Sequence, residues 1–223
     1  SGWLGLGSKW VGLAQFKRFL TDPVFYEVAL RTIPYAAAKL AISFPAPIIL
    51  ALLLNEIRIK RFKKSVQTFT TLPHFISWVV VAGIWISLLS PTTGYLNEII
   101  KALGGRPIYF MTNSTWFRPV LVISNIWKEI GWSSVIYLAA LSGVDPQLYE
   151  AAMIDGSTRV QRIWHITMPS ILSVVAIILI LSMAQILNAG FDQIFNMYNP
   201  SVYGVSDIID TYVYRVGLGQ MQF

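Results

Sequence analysis

The chain has 223 residues, 55% of them hydrophobic and only 13% charged, about half the charged share of an ordinary soluble domain. With a mean hydropathy of +0.57, this composition points to a membrane protein. The absence of cysteine excludes a disulfide framework and a thiolate metal site, and the two histidines, His74 and His165, are too few and too far apart to suggest a metal centre.

In chain order, the stretch GLAQFKRFLTDPVFYEVALR places Leu13, Phe16, Phe19 and Leu20 at a spacing that predicts a helix lying along a membrane interface. A first apolar run, Thr32 to about Leu54, is long enough to cross a hydrocarbon core of roughly 30 Å, which takes about 20 helical residues. Pro34, Pro45 and Pro47 predict kinks there, since membrane helices tolerate proline where neighbours re-satisfy the backbone. The sequence RIKRFKK, Arg58 to Lys64, then gathers five of the seventeen cations in seven residues. The formal charge of +6 is not spread over one basic face, so this cluster reads as a cytoplasmic membrane-flanking loop rather than a nucleic-acid patch. Further apolar runs cover about Val66 to Leu89, Arg118 to Gly143 and Ser170 to Gly190. Each exceeds the 9 to 11 residues of a spanning strand and lacks strict alternation. The expected fold is an all-α polytopic helical bundle with four spans, in one domain.

If the RIKRFKK loop is inside, the loop around Glu150 is inside too, two crossings away. Totals of Lys and Arg do not decide this. The inner loops hold seven (Arg58, Lys60, Arg61, Lys63, Lys64, Arg159, Arg162), and the outer segments eight (Lys9, Lys17, Arg18, Arg31, Lys101, Arg106, Arg118, Arg215). The density of the short basic loop favours the inside. Both ends then lie outside, including the segment 191–223 with Asp207, Asp210 and Arg215. The chain starts without a signal peptide's charged start and apolar run, and it stops inside a mixed segment, as a fragment of a longer protein would.

Between the third and fourth runs lies SGVDPQLYEAAMIDGSTRVQRIWHITMP. Asp145 is placed as an N-cap with Pro146 at the first helical position, so a short helix of about ten residues is expected. Gly156 fits a helix end that needs positive φ. Ser157 or Thr158 can cap a second helix carrying Val160, Ile163, Trp164 and Thr167 on one face, and Pro169 then marks entry to the fourth span. Ala151 and Ala152 leave one side of the first helix without bulk, with Glu150 and Asp155 at its margins. That surface suits close approach by another protein, although a solvent-exposed connection would look similar.

Two spans carry buried-polar candidates. Asn125 and Glu129, four apart in the third span, share a face, and Lys128 beside Glu129 needs a neighbour of its own. In the fourth, Ser182, Gln185, Asn188 and Asp192 form a polar stripe. Such a stripe can face a hydroxyl-rich solute, with Phe191, Trp127 or Trp132 stacking on ring faces, or can serve as polar glue between helices.

Glu150, Ala151, Ala152, Gly156, Ile166 and Pro169 reproduce the pattern E-A-A, three residues, G, nine residues, I-x-L-P, with Met168 in place of the leucine. This resembles the signature loop of the permease subunits of binding-protein-dependent ABC importers. The segments TLPHFISWVVVAGIWISLLS, GYLNEIIKALG and DIIDTYVYRVGL are similar to those of the carbohydrate branch, the maltose-type permeases. The resemblance implies a multi-pass protein of a bacterial-type cytoplasmic membrane, with one span missing at each end of the chain. It implies that the loop forms a cytoplasmic coupling helix docked in a groove of an ABC ATPase. Glu150 would be the acidic contact, Ala151 and Ala152 the close-packing surface, and Asp155, Gly156, Ile166 and Pro169 further parts of the element. The implied partners are an ATPase dimer, a second permease subunit, identical or homologous, and an extracytoplasmic solute-binding protein, with oligosaccharide passed by alternating access.

No G-x-x-x-x-G-K-[ST] loop occurs, so ATP and magnesium would be used by the partner ATPase, and this chain is expected to hold no cofactor. An importer of the same fold for peptides, amino acids or another solute remains open. An intramembrane enzyme lacks any nucleophile-base constellation to support it.

Overall fold

The computed structural model describes residues 12–13, 17, 21, 23–184 and 190–215. These residues form helices and turns, with no strand among them. The helices are α1 (Pro23–Ser43), α2 (Pro45–Glu56), α3 (Lys60–Thr71), α4 (Trp78–Leu88), α5 (Tyr95–Ala102) and α6 (Ser114–Ser142). They continue with α7 (Pro146–Ile154), α8 (Arg159–Arg162), α9 (Met168–Ala184), α10 (Phe191–Met197), α11 (Tyr203–Ser206) and α12 (Ile209–Val213). Of the expected N-terminal interface helix, Phe16, Phe19 and Leu20 lie outside the described residues.

α6 is the central post: its 29 residues reach about 43 Å at 1.5 Å per residue. Two apolar clusters pack at its two ends. Phe117, Val120 and Leu121 of its first half meet Tyr35, Ala82, Ile194, Met197, Val202 and Ile208. Tyr137 and Leu141 of its second half meet Ile48 and Ala51 of α2 and Ile171 of α9. α2 and α9 therefore run beside the second half of α6, which brings the start of α3 and the α7–α8 segment to one end of the bundle.

Among the described residues, two helical runs are long and apolar enough to cross a bilayer, Tyr26–Glu56 with 31 residues and Arg159–Ala184 with 26; α6, the expected third span, is not one of them, with Asn125, Lys128 and Glu129 at its middle. The first joins α1 and α2 through Phe44, whose backbone stays helical at φ -65 and ψ -42 directly before Pro45. The expected second span is not one straight helix. Its halves, Lys60–Phe75 and Trp78–Leu88, are bent by 107° at the break, because a 3-10 turn over Leu72–Phe75 ends in extended backbone at Ile76 and Ser77 restarts the helix as N-cap of α4.

The fourth run also differs from expectation. Pro169 does not open a new helix: α8, a π turn at Ile163–Thr167 and α9 form one continuous run. Downstream, Gly190 at φ +96 is left-handed backbone that no right-handed helix contains, and α10 starts after it. Asp192 therefore sits on a different helix from Ser182, and the stripe does not run down one helix. Gln185 and Asn188 lie outside the described residues.

At the opposite end from α7, Asn97 locks the segment between α4 and α6. Fully buried, it donates from Nδ2 to the carbonyls of Leu89, Ser90 and Ile108 at 3.2, 3.0 and 3.0 Å, and its Oδ1 accepts from Ile108 N at 2.7 Å. Sequence reading gave it no role. The tail of α10 to α12 closes over this end: Asp207 accepts from Thr211 Oγ1 at 2.7 Å and pairs with Arg215. Burial, and next to it the Tyr203 ring and the Asp207 carboxylate, push the Tyr198 phenol up from its ordinary value.

Candidate functional site

The first site is the polar hairpin between α6 and α9. Asp145 caps α7, its carboxylate accepting from Gln147 N at 2.9 Å, with Pro146 behind it. At the far end Gly156 adopts φ +75, and Ser157 N donates to Ala152 O at 3.0 Å, closing the helix as a left-handed cap. Thr158 then starts α8 with a reciprocal capping box: Gln161 N donates to Thr158 Oγ1, and Thr158 N to Gln161 Oε1 at 2.7 Å. Arg162 Nη1 donates to Ser157 O at 2.7 Å, and Tyr149 Oη pairs with Thr167 Oγ1 at 3.0 Å, so both short helices are tied to one another.

These bonds fold the segment around a concave space of about 330 Å³, lined by Ala152, Asp155, Gly156, Ser157, Gln161, Arg162, His165 and Ile166. Four of the seven residues expected to couple to a partner, Ala152, Asp155, Gly156 and Ile166, converge there. Glu150 and Ala151 are exposed on α7 outside that space, and Pro169 is exposed at the first turn of α9.

The second site is a polar layer between the two apolar clusters, at mid-length of α6. Lys128 is buried to 5% exposure, yet its ammonium is satisfied. It donates to the carbonyls of His74 at 2.6 Å, Ile76 at 2.8 Å and Pro73 at 3.3 Å. The His74 and Ile76 carbonyls have no backbone donor where the 3-10 turn breaks, while that of Pro73 also accepts from Ile76 N at 3.2 Å, so one cation neutralises the exposed backbone of the bend. Glu129 turns elsewhere, with Oε2 2.8 Å from His74 Nδ1 and Oε1 3.9 Å from Lys128. His74 stacks on Trp132 with ring centroids 4.6 Å apart, and Phe75 meets the same indole edge-on at 5.7 Å.

The expectation that Lys128 and Glu129 find different neighbours thus holds. Sequence reading did not give His74 a place beside them. Asn125 is half-buried one turn above Glu129 and makes no hydrogen bond among the described residues.

Across this layer Gln193 of α10 is fully buried. It donates to Leu121 O at 2.6 Å and Ser124 Oγ at 2.9 Å, and accepts from Lys39 Nζ at 2.9 Å. Gly190 beside it adopts φ +96, a conformation that residues with a Cβ rarely take. At Gly131 the constraint is space: a Cβ would stand 2.1 Å from Thr70 C and O, so α3 and α6 touch backbone to backbone. Asp192, exposed in the first turn of α10, joins none of these contacts.

The capped hairpin between α6 and α9 and the polar layer at mid-length of α6 belong to a helical bundle with helices apolar enough to cross a membrane, and known proteins identify its family. Residues 43–191 match the family described as "Binding-protein-dependent transport system inner membrane component". The chain belongs to that family, as a transport subunit of the membrane rather than an enzyme. It is 50% identical over 218 residues to the polygalacturonan/rhamnogalacturonan transport system permease protein YteP of Bacillus subtilis (strain 168), covering 98% of this chain and 68% of that one. Protein LplB of the same organism is 45% identical over 213 residues, covering 96% and 67%. A crystal structure of a bacterial ABC transporter involved in the import of the acidic polysaccharide alginate superposes with a TM-score of 0.91 at 41% identity, covering 98% of this chain and 76% of its counterpart. A second, of the bacterial alginate ABC transporter in complex with an alginate pentasaccharide-bound periplasmic protein, gives 0.90 at 42% identity, covering 95% and 73%.

Proposed function

We propose that this chain is the permease subunit of an ATP-driven importer that passes an oligosaccharide, preferentially one built on uronic acids, across the cytoplasmic membrane by alternating access. The observation that carries the oligosaccharide part of this reading is the layer of Glu129, His74 and Trp132 at mid-length of α6, while the uronate preference rests on the relatives. Side chains of Glu129 and His74 are 33% and 29% exposed at a depth where a carboxylate facing lipid is costly, so they face a space that holds polar cargo. A flat indole stacked on an imidazole beside a carboxylate offers a sugar both an apolar face and hydrogen-bond partners. The transporter described as importing the acidic polysaccharide alginate, and YteP, described as a polygalacturonan/rhamnogalacturonan transport permease, support the uronate preference.

The α7–α8 hairpin is the cytoplasmic docking element for a partner ATPase, with Glu150 reaching a basic group and Ala151 and Ala152 allowing close approach. That partner supplies ATP and magnesium. A second permease subunit covers the face bearing Glu129 and Trp132, and an extracytoplasmic binding protein delivers cargo at the α10–α12 end. The test is uptake of labelled oligogalacturonate by the complete complex in proteoliposomes. Glu129→Ala and Trp132→Ala are expected to raise the half-saturating concentration of the binding protein–cargo complex or to abolish uptake, with ATPase assembly intact. Uptake unchanged in both variants refutes the pathway assignment.

A further inference from the structure

Beyond this transport role, we propose that the first two turns of α3 form a binding site for anionic phospholipid headgroups on the ATPase-facing leaflet, and that their occupancy raises the transport rate. Arg58, Lys60, Arg61 and Lys64 are exposed and Lys63 is half-buried. Among the described residues no carboxylate pairs with any of the five, and none makes a further contact that would occupy it. A charge of this density without an internal partner is free to meet an external anion.

The surrounding apolar residues identify the source as a membrane rather than an acidic protein surface. Ile59, Phe62 and Phe69 are 68%, 56% and 75% exposed among and just beyond the cations. Phe62 and Phe69 lie seven residues apart and so on one helical face, with Lys60, Arg61 and Lys64 displaced around the helix from them. Rings that enter the acyl region while lysine and arginine heads rise to the phosphates hold the start of a helix at headgroup level. The segment also follows directly on the apolar run that ends at Glu56, so its cations sit where that helix leaves the bilayer.

The link to rate runs through α6. The same α3 touches Gly131 backbone to backbone through Thr70, and its downstream turn supplies the carbonyls held by Lys128. Lipid that fixes the start of α3 thereby steadies the bend beside the cargo layer. This inference rests on the reading that the α7–α8 end faces the ATPase.

The experiment measures uptake by the complete complex in vesicles of phosphatidylcholine, alone or with phosphatidylglycerol as the minor component. It compares the native chain, a Lys60→Gln, Arg61→Gln, Lys64→Gln variant and a Lys60→Arg, Lys64→Arg variant. Each cation near an anionic surface enriches headgroups by about fivefold. Phosphatidylglycerol should therefore raise native uptake several-fold, and the arginine variant should keep that increment. The glutamine variant should lose it while matching the native rate in neutral lipid. An increment that survives in the glutamine variant, or is absent from the native chain, overturns the proposal. So does failure of the ATPase to co-purify with the glutamine variant in detergent, which assigns the cations to a protein surface. Vesicles with phosphatidylglycerol confined to the leaflet opposite the ATPase separate the two readings: a charge-dependent increment there keeps the headgroup site and overturns the sidedness.

Discussion

Replacing Gly131 by alanine adds one methyl group where α3 and α6 have no space for it. The new Cβ would stand 2.1 Å from the carbonyl of Thr70, and 2.4 Å from Thr71 N, all of it backbone that cannot rotate aside. Relief requires α3 to move away from α6 by about 1 Å, which also draws the 3-10 turn away from Lys128. Overpacking against rigid neighbours costs up to about 3 kcal/mol, which for a chain of this size lowers the unfolding midpoint by about 6–12 °C. The assay is thermal unfolding of the purified complex in detergent at one fixed scan rate. Gly83→Ala in α4 serves as the control. Its Cβ would meet nothing within 4 Å, so gaining helix propensity should leave the midpoint level or slightly higher. If Gly131→Ala unfolds within about 1 °C of the native chain, the α3–α6 contact does not hold this bend as described.

Three further outcomes follow from the same geometry. Lys128→Met strands the His74 and Ile76 carbonyls at the break and should destabilise the complex by about 3 kcal/mol while lowering uptake, measured by the same unfolding assay and by transport. Asn97→Leu leaves the carbonyls of Leu89 and Ile108 and the N–H of Ile108 without the bonds Asn97 makes, while Ser90 O keeps only its bond from Gly94 N. Limited proteolysis should then cut between α4 and α6 at rates at least tenfold above native, corresponding to about 1.4 kcal/mol or more of local opening. Gly156→Pro cannot reach φ +75, so α7 should lose its closing turn, with ATP hydrolysis no longer stimulated by cargo-loaded binding protein and uptake lost. Normal coupling in that variant contradicts the docking role of the hairpin.

The hairpin was legible because its signals are local. Asp145, Pro146, Gly156 and Thr158 each act on backbone within a few residues, and each does in the structure what its residue type favours. The bend at Ile76 was not legible, although Pro73 and the capping Ser77 stood in the sequence, because an apolar run hides a break whose stray carbonyls are satisfied from elsewhere. Lys128 reaches them across 52 to 55 positions of chain. The same distance concealed His74, which reads as a lone histidine until α6 brings Glu129 and Trp132 beside it. Asp192 was assigned to the wrong helix for a simpler reason. Gly190 was taken as the end of a span, while its left-handed φ of +96 starts a separate short helix whose first turn holds Asp192. Spacing counted through a glycine of that kind carries no phase information.

The π turn at Ile163–Thr167 gives the hairpin a mechanical property that a loop would lack. α8 and α9 are joined by unbroken helix, so no extended backbone separates the hairpin from the length of α9 among the described residues. The wide turn holds one surplus residue, so the faces before and after it are out of phase with a regular helix. Passing that surplus along the rod by a turn would rotate the residues it crosses about the axis while leaving the rod's length almost unchanged, a gear change available to a helix that must stay fixed in depth while its lining turns.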